Sequence, residues 1–295
     1  MVDAVAKCVV YKPVIGARAM PTQIPLESGD FPSQGNWTDE QLKLAFQLYC
    51  RTPFGKLHSR NPQIVELAEL IGRTPGALAM KLSNFASLDP SITSTGRAGL
   101  RGASARDREI WNAFHADWEG LALECAELLQ SLLQSRQGLV EPERPVDDDF
   151  VLDDYSGETR RAIVQQRVKQ DFFRQAVLSS YGGRCCISGV SDPRLLIASH
   201  IVPWREDKAN RLNPRNGLCL SAIHDKAFDR HLFTLDADGR VLLSTALKQT
   251  RDTFLREVFW PSEDQPIETP ERFAPDPELM AQHRELTLNS TEAQA

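Results

Sequence analysis

A short apolar run that ends in a histidine is the sequence feature that most constrains the fold. From 195 to 202 the chain reads Leu-Leu-Ile-Ala-Ser-His-Ile-Val, which is typical of a buried β-strand, and a Pro-Trp pair then ends the pattern. The run therefore predicts a strand that carries His200 at its end. A polar loop follows, so the histidine lies where a strand gives way to irregular chain.

Two more polar residues follow this histidine within a compact pattern. Asn216 comes 16 residues after His200, and His224 comes eight residues after Asn216. The run 218–220 predicts a second short strand, and 221–231 predicts a helix. The three side chains therefore belong to a strand–loop–strand–helix (ββα) unit.

These residue types suit phosphodiester hydrolysis. That reaction needs a base for the attacking water, neutralisation of charge on the phosphate and a stabilised leaving oxygen. A neutral His200 can be the base, and Asn216 can fix its ring through the other ring nitrogen or through the adjacent backbone. His224 can bind one divalent cation. The structural alternatives are a core histidine and an asparagine that serves only a turn.

Four ordered blocks carry a resemblance to a known family. They are Cys-Ile-Ser-Gly at 186–189, Ala-Ser-His-Ile-Val-Pro-Trp at 198–204, Asn-Pro-Arg-Asn-Gly-Leu-Cys-Leu at 213–220 and His-Asp-Lys-Ala-Phe-Asp at 224–229. This set resembles the HNH endonucleases, specifically the subgroup found in restriction and phage-defence nucleases. The resemblance implies a ββα-metal fold.

The same resemblance implies a role for each motif residue. His200 becomes the general base, Asn216 the second motif residue and His224 the metal-binding third. It further implies a single divalent ion, Mg²⁺ first and Mn²⁺ or another ion second, and products with 5′-phosphate and 3′-hydroxyl ends. DNA is the implied substrate.

The sequence departs from the family pattern just before the base. Many HNH sites place Asp, Glu or His there as a metal ligand, whereas this chain has Ser199. Asp225 and Asp229 are candidate substitutes, but helix geometry alone does not choose between them.

A second departure concerns cysteine. Many HNH domains hold zinc with two cysteine pairs, but Cys185 and Cys186 are adjacent here and Cys219 has no partner two residues away. We therefore expect no structural zinc, and we expect these thiols to be buried as small apolar groups.

The preceding part of the chain predicts helices. Thr38 and Gln41 form a capping box for a helix over 39–50, and a further apolar series ends at Gly72. Thr74 and Pro75 then begin a helix of about 75–84. Two short helices around a glycine turn resemble a helix-turn-helix, although an ordinary helical hairpin fits the same pattern.

Basic and polar residues of this part are candidates for DNA contact. Some lie in the hairpin and others in a Ser-, Gly- and Arg-rich loop over 93–105, which suits phosphate contact or simple solvation. The candidates are Arg73, Lys81, Asn84, Arg97 and Arg101. Apolar residues recur at helical spacing from 110 to 132, which predicts one long helix covered by its own core or, alternatively, by a second copy of the chain. A homodimer is therefore one expectation.

These patterns predict an α+β protein: an α-helical N-terminal domain with a helix-turn-helix-like hairpin and a C-terminal ββα-metal HNH nuclease domain. The predicted divisions are an N-terminal arm (1–35), a helical DNA-recognition domain (36–135), an acidic linker (136–157), the nuclease domain (158–262) and an acidic tail (263–295).

Charge is distributed in agreement with a nucleic-acid partner. The chain has a net charge of −6, but residues 51–108 hold 9 basic against 4 acidic side chains and 151–262 hold 17 against 13. The six cysteines lack disulfide spacing, the chain has no secretory leader, and no apolar run reaches membrane-spanning length. We therefore expect a cytoplasmic protein without a membrane partner.

Three functions remain open on these patterns. The first is a DNA endonuclease of restriction or defence type, in which the helical domain reads the target. The second is a DNA-binding reader or regulator with an inactive HNH module, which Ser199 and the overall acidity favour. The third is a nonspecific toxin-like nuclease, which scattered cleavage of plasmid DNA would favour.

Overall fold

The computed structural model describes residues 35–94, 96, 102–137 and 157–292. Most of the predicted N-terminal arm and of the predicted linker lies outside these residues, as do Arg97 and Arg101. The described residues from Asn36 onward belong to one compact unit. Helices dominate it, and two small antiparallel sheets complete it.

The helices and strands follow one another in an all-helical first part and a mixed second part. The first part contains α1 (Asp39–Arg51), α2 (Pro62–Leu70), α3 (Pro75–Ala86), α4 (Pro90–Thr93), α5 (Ala105–Ala116) and α6 (Trp118–Gln137). The second contains α7 (Gly157–Ser180), β1 (Leu196–His200), β2 (Gly217–Ser221), α8 (Ala222–Asp229), β3 (Phe233–Leu235), β4 (Val241–Leu243), α9 (Thr245–Lys248), α10 (Thr253–Phe259) and α11 (Pro277–Glu292).

Helix α1 is the central element of the helical part. Thr38 and Gln41 make the predicted capping box, and the helix begins at the predicted residue. Its buried face packs against α3, α5, α6 and α7. Phe46 lies at the middle of an aromatic cluster, with its ring centroid 4.5 Å from that of Phe114 and 5.1 Å from that of Phe85. This burial holds the helical part together.

The predicted helical hairpin is formed by α2 and α3. Gly72 adopts φ 69° in the turn, a conformation that favours glycine, and Thr74 caps α3 by accepting from Ala77 N. The face of α3 toward the core carries Leu78, Leu82 and Phe85. Met80 is the most exposed large side chain of this helix, at 60%.

The predicted long helix over 110–132 is wrong in one respect, because the chain forms two helices, α5 and α6, around Asp117. Asp117 has φ −148° and ψ 83°, and its Oδ1 accepts from Gly120 N at 2.8 Å. The side chain thus caps α6 and interrupts the helical backbone. The apolar stripe continues across the break, since Phe114 and Trp118 are both buried.

Helix α7 packs against both parts of the chain. It contacts α1 and α6 on one side and β1 and β2 on the other. Phe172 lies toward Trp118, with ring centroids 6.1 Å apart, whereas the next residue, Phe173, lies on the β-strands. This helix therefore joins the helical core to the ββα unit.

The predicted ββα unit is present. β1 pairs antiparallel with β2, with His200 opposite Gly217 and Leu196 opposite Ser221, and α8 packs on both strands. The predicted hairpin beyond it is also present, since β3 pairs antiparallel with β4.

Residues 263–295, expected to form an acidic tail, differ from that expectation. Residues 277–292 form α11, which packs against β3, and Leu279, Met280 and His283 are buried on it. Arg272, just before this helix, is fully buried and donates to the carbonyl oxygens of Tyr49 and Cys50. The prediction gave weight to the acidic residues of this segment and overlooked the few apolar residues that the helix buries. Among the described residues, no helix is long and apolar enough to cross a membrane.

Candidate active site

His200 lies at the end of β1 with its ring held on three sides. The ring stacks on Phe173, with centroids 3.9 Å apart and planes 9° apart, and meets Trp204 edge-on at 5.7 Å. Its Nε2 lies 3.0 Å from the Arg211 carbonyl oxygen. Because a carbonyl oxygen only accepts, Nε2 carries the proton and Nδ1 keeps a lone pair.

The protonation state of His200 follows from its surroundings. Burial lowers its pKa below the ordinary value, and this effect exceeds the opposite influences of the Arg211 carbonyl and the Asp229 carboxylate. The ring is therefore neutral near neutral pH, which a general base requires.

Asn216 fixes the loop that surrounds His200. Its Oδ1 accepts from Val202 N at 2.9 Å, and its Nδ2 donates to the carbonyl oxygens of Val202 and Asn210 at 3.1 and 3.2 Å. Its own carbonyl accepts from Ile201 N. The asparagine thus ties both ends of the loop together through the backbone next to His200, the second of the two arrangements expected for it.

Gly217 allows the close packing behind His200. A Cβ atom at this position would lie closer to Val177 Cγ2 than any normal contact, and 2.9 Å from Phe173 Cζ. The absent side chain therefore lets α7 lie directly on β2. That contact places Phe173 against the His200 ring.

His224 lies in the first turn of α8 with only one ring nitrogen engaged. Its Nδ1 is 2.7 Å from Ser221 Oγ, and its ring packs edge-on against Phe259 and Phe233. Its Nε2 is buried and has no hydrogen-bond partner among the described residues, so this nitrogen keeps a donor atom for a metal. Burial lowers its pKa to about 4, so the ring is neutral at neutral pH. Among the described residues, no aromatic ring that packs on His224 also packs on His200.

Asp225 and Asp229 are the two acidic residues of α8 that act on the end of β1. Burial raises the pKa of Asp225, the Ser199 hydroxyl lowers it, and the charge of Asp229 raises it further. Ser199 Oγ is buried and makes no hydrogen bond of ordinary geometry to any described residue. The Asp229 carboxylate raises the pKa of His200. Two carboxylates one helical turn apart thus act on this strand end, Asp225 at the buried Ser199 and Asp229 at the half-buried His200.

This donor set suits a hard divalent cation. Mg²⁺ is bound in proteins by one or two carboxylates and keeps several water or phosphate ligands. Among the described residues, no group of three or more His, Cys, Asp and Glu side chains is arranged to hold a metal. The residues present fit an open Mg²⁺ site on Asp225 and Asp229 and do not form a closed cage.

The cysteines of this region are buried. Cys185, Cys186 and Cys219 are at most 4% exposed and carry free thiols. Burial raises the pKa of Cys186 well above its ordinary value and that of Cys219 to about 12. The thiols of Cys186 and Cys219 are therefore protonated, and all three cysteines belong to the core, as expected.

The candidate DNA contacts of the helical part differ in their surroundings. Arg73 donates to the carbonyl oxygen of Asn36 at 2.7 Å and to Gln41 Oε1, and its guanidinium lies over Trp37. Asn84 is half-buried beside Gly102. Arg97 and Arg101 lie outside the described residues.

Lys81 requires a correction. Its side chain is only 10% exposed, and its Nζ binds both carboxylate oxygens of the fully buried Asp107 at 2.8 and 3.1 Å. An ammonium paired in this way holds α3 to α5 and is not offered to a phosphate.

Some residues around His200 have no signal in the sequence. Arg211 acts on the ring through its backbone carbonyl, which any residue type would supply, and Glu119 approaches Arg211 from α6. Trp204 belongs to one of the four motif blocks, whereas the packing of Phe173 on the ring depends on a contact between distant segments.

In a comparison with known protein families, residues 185–236 match the HNH_2 family model, described as HNH endonuclease. The matched segment contains β1, β2, α8 and β3. A search of curated proteins gives no match. The chain thus carries an HNH endonuclease domain, which supports a nuclease.

Proposed function

Taking this HNH endonuclease domain as the premise, we propose that the protein is a divalent-metal-dependent DNA endonuclease that acts in restriction or anti-phage defence. One observation carries the catalytic part of the proposal. His200 is neutral, one ring nitrogen is held by the Arg211 carbonyl, and the ring lies beside the carboxylate of Asp229. A base at the end of β1 and a carboxylate at the end of α8 thus act on one another.

In the proposed reaction, His200 Nδ1 takes a proton from the attacking water. The positive charge that forms on the ring is stabilised by the Asp229 carboxylate and by the hydrogen bond from Nε2 to Arg211. Asn216 keeps the loop closed during this step. The products carry 5′-phosphate and 3′-hydroxyl ends.

Asp225 and Asp229 are the proposed metal-holding residues. A bound divalent cation neutralises charge on the scissile phosphate and on the leaving oxygen. His224, the residue first expected in this role, stays a further candidate ligand, because its Nε2 is buried without a hydrogen-bond partner among the described residues. Its ring also packs edge-on against Phe233 and Phe259, which joins α8 to α10.

The helical part is proposed to contact the target DNA through the hairpin of α2 and α3, with Arg73 and Asn84 as its described candidates. The local excess of basic residues over 51–108 supports this role. Arg73 lies just before α3, and Asn84 lies one turn after its exposed Met80. Alanine variants of both residues should weaken DNA binding, and Arg73→Ala, which removes a positive charge, should also lower its salt dependence.

A homodimer is proposed for double-strand cleavage, since each chain offers one candidate metal site. Leu133 of α6 and Val164 of α7 are 45% and 52% exposed, which leaves apolar surface on these helices for a second copy. Sedimentation of the protein on DNA tests this. A monomer on cleaved duplex DNA would remove the dimer.

The experiment for the catalytic proposal is digestion of plasmid and phage DNA, with and without base modification, in Mg²⁺, Mn²⁺ and EDTA. We expect His200→Ala to abolish cleavage, and His58→Ala, at an exposed histidine, to leave it intact. Asp225→Asn and Asp229→Asn should lose cleavage in Mg²⁺, whereas Asp238→Asn, at an exposed aspartate, should not.

Two results would change the proposal. Binding of DNA without cleavage of any substrate would favour a reader with an inactive module, a function that Ser199 supports because it replaces a usual metal ligand. Cleavage scattered over all DNA would favour a nonspecific nuclease. Unchanged cleavage in Asp225→Asn and Asp229→Asn would show that other residues bind the metal.

A further inference from the structure

We propose that Glu119, on helix α6 of the helical part, is a positioning residue for His200 and acts through Arg211. This inference rests on the proposed role of His200 as base. It assigns to a carboxylate outside the HNH match the task of holding the base in its reactive form.

Arg211 touches the environment of His200 in two ways. Its carbonyl oxygen accepts from His200 Nε2 at 3.0 Å, and its guanidinium lies 5.3 Å from the centre of the Trp204 ring. Trp204 in turn meets the His200 ring edge-on. A displacement of Arg211 therefore changes both the hydrogen bond that sets the tautomer and one wall of the ring.

Glu119 is the ion-pair partner of this arginine. Its Oε2 lies 3.6 Å from Arg211 Nε, beyond hydrogen-bond distance, and its Oε1 accepts from Lys169 of α7 at 2.6 Å. Arg211 and Lys169 are each only 17% exposed in their side chains. The carboxylate thus lies between two cations, and its charge acts on Arg211 directly.

The Glu119–Arg211 ion pair matters more for the position of Arg211 than for the stability of the protein. Glu119 is 31% exposed, and partly exposed ion pairs stabilise proteins little. The tautomer of His200, in contrast, depends directly on where the Arg211 carbonyl lies. Loss of a partner that orients a reactive ring typically lowers activity 10- to 100-fold.

Glu119→Gln tests the proposal, with Lys169→Gln as the matched control. Both variants break the Glu119–Lys169 pair between α6 and α7, but only Glu119→Gln removes the charge beside Arg211. We would measure the single-turnover cleavage rate at saturating DNA, the apparent DNA affinity, the unfolding temperature and the imidazole ¹⁵N spectrum of the metal-free protein. His200→Ala assigns the His200 signals.

In Glu119→Gln we expect a rate about 10-fold lower, with DNA affinity unchanged and with loss of the spectrum of a single Nε2-protonated form. Lys169→Gln should keep the wild-type spectrum and rate. Glu119→Asp, which retains the charge at shorter reach, should give an intermediate rate and covers the case in which Glu119→Gln does not fold.

Equal losses of rate in Glu119→Gln and Lys169→Gln would assign the effect to helix packing and overturn the proposal. A wild-type spectrum in Glu119→Gln would overturn it as well. Because the spectrum needs neither metal nor DNA, it tests the role of Glu119 even if the wild type cuts no DNA. A wild type that cuts no DNA would refute the proposed nuclease function and leave the test of Glu119 intact.

Discussion

At the scale of single residues, His200 shows how neighbours define a reactive group. The sequence indicates a histidine at a strand end, but the choice of reactive nitrogen comes from the Arg211 carbonyl 11 residues further along the chain. No side-chain pattern encodes that contact. The residue type could be predicted from the sequence, whereas the tautomer required the fold.

The pH dependence of cleavage should report the lowered pKa of His200. A base works only when unprotonated, so the rate should rise with pH and level off as the ring loses its proton. Since burial lowers the pKa of His200, the midpoint of this rise should fall below the ordinary value of 6.5. Single-turnover rates from about pH 5 to pH 8 measure it. A midpoint above 6.5 would contradict the burial argument.

Lys81 gives a prediction opposite to that for a DNA contact. Lys81→Met leaves the buried Asp107 carboxylate without its cation, so we expect a loss of about 3–5 kcal/mol in the free energy of unfolding. The salt dependence of DNA binding should stay unchanged. Urea denaturation and binding titrations at several salt concentrations check this, with Asn84→Ala as the surface comparison. A weaker salt dependence of DNA binding in Lys81→Met, with an unchanged free energy of unfolding, would indicate that Lys81 contacts a DNA phosphate.

The position of Lys81 was readable in principle. Leu78, Lys81 and Phe85 recur at helical spacing, so the lysine shares the buried face of α3. Its partner was not readable, because Asp107 belongs to a separate helix. The roles of Asp225, Asp229 and His224 were open for a similar reason, since the direction that each residue of α8 faces depends on how the helix is rotated against β1.

At the scale of elements, the contact between α7 and β2 limits what position 217 can hold. Gly217→Ala places a methyl group against Val177 and Phe173, and overpacking of this kind costs about 1–3 kcal/mol. Cleavage should also slow, because Phe173 would no longer support the His200 ring. Thermal unfolding and cleavage rates check both effects.

Gly76→Ala is the control for Gly217→Ala. Gly76 lies in helix α3, and no heavy atom would lie within 4 Å of an added Cβ atom. We expect this change to leave stability unchanged or to raise it, since alanine favours helix. A wild-type rate and stability in Gly217→Ala would show that α7 and β2 lie further apart than the structure gives.

Elements with a local signal at their ends could be predicted, and those without one could not. The capping box of Thr38 and Gln41 fixed the beginning of α1, and Thr74 with Pro75 fixed that of α3. The break at Asp117 was missed because the apolar stripe of α5 and α6 continues through it. Helix α11 was missed because the segment 263–295 holds 8 acidic against 2 basic residues, which drew attention away from the few apolar residues that the helix buries.

At the scale of the molecule, Arg272 ties the C-terminal segment to the helical part. Besides the two carbonyl groups at the end of α1, it donates to Ser179 Oγ of α7 at 2.9 Å, and its guanidinium lies over the Tyr49 ring. One buried side chain thus joins three segments that are distant in sequence.

Arg272→Met should destabilise the whole molecule. The buried carbonyl groups of Tyr49 and Cys50 lose their donor, at a cost of about 1–3 kcal/mol for each group left unsatisfied. Because the segments share this contact, calorimetry should show one transition at a lower temperature. Arg251→Met, at an exposed arginine, should leave it unchanged. Two separate transitions in the variant would indicate that the parts unfold independently.

The two packed faces of helix α7 limit how the nuclease domain can be fused to other proteins. Its consecutive residues Phe172 and Phe173 pack in opposite directions, one toward Trp118 and one toward His200. A fragment that begins at residue 157 and is fused to another DNA-binding protein would keep Phe173, which packs on His200. It would also expose Phe172, because Trp118 would be absent. A transplanted nuclease domain should therefore keep α1, α6 and α7 together, so that both faces of α7 stay covered.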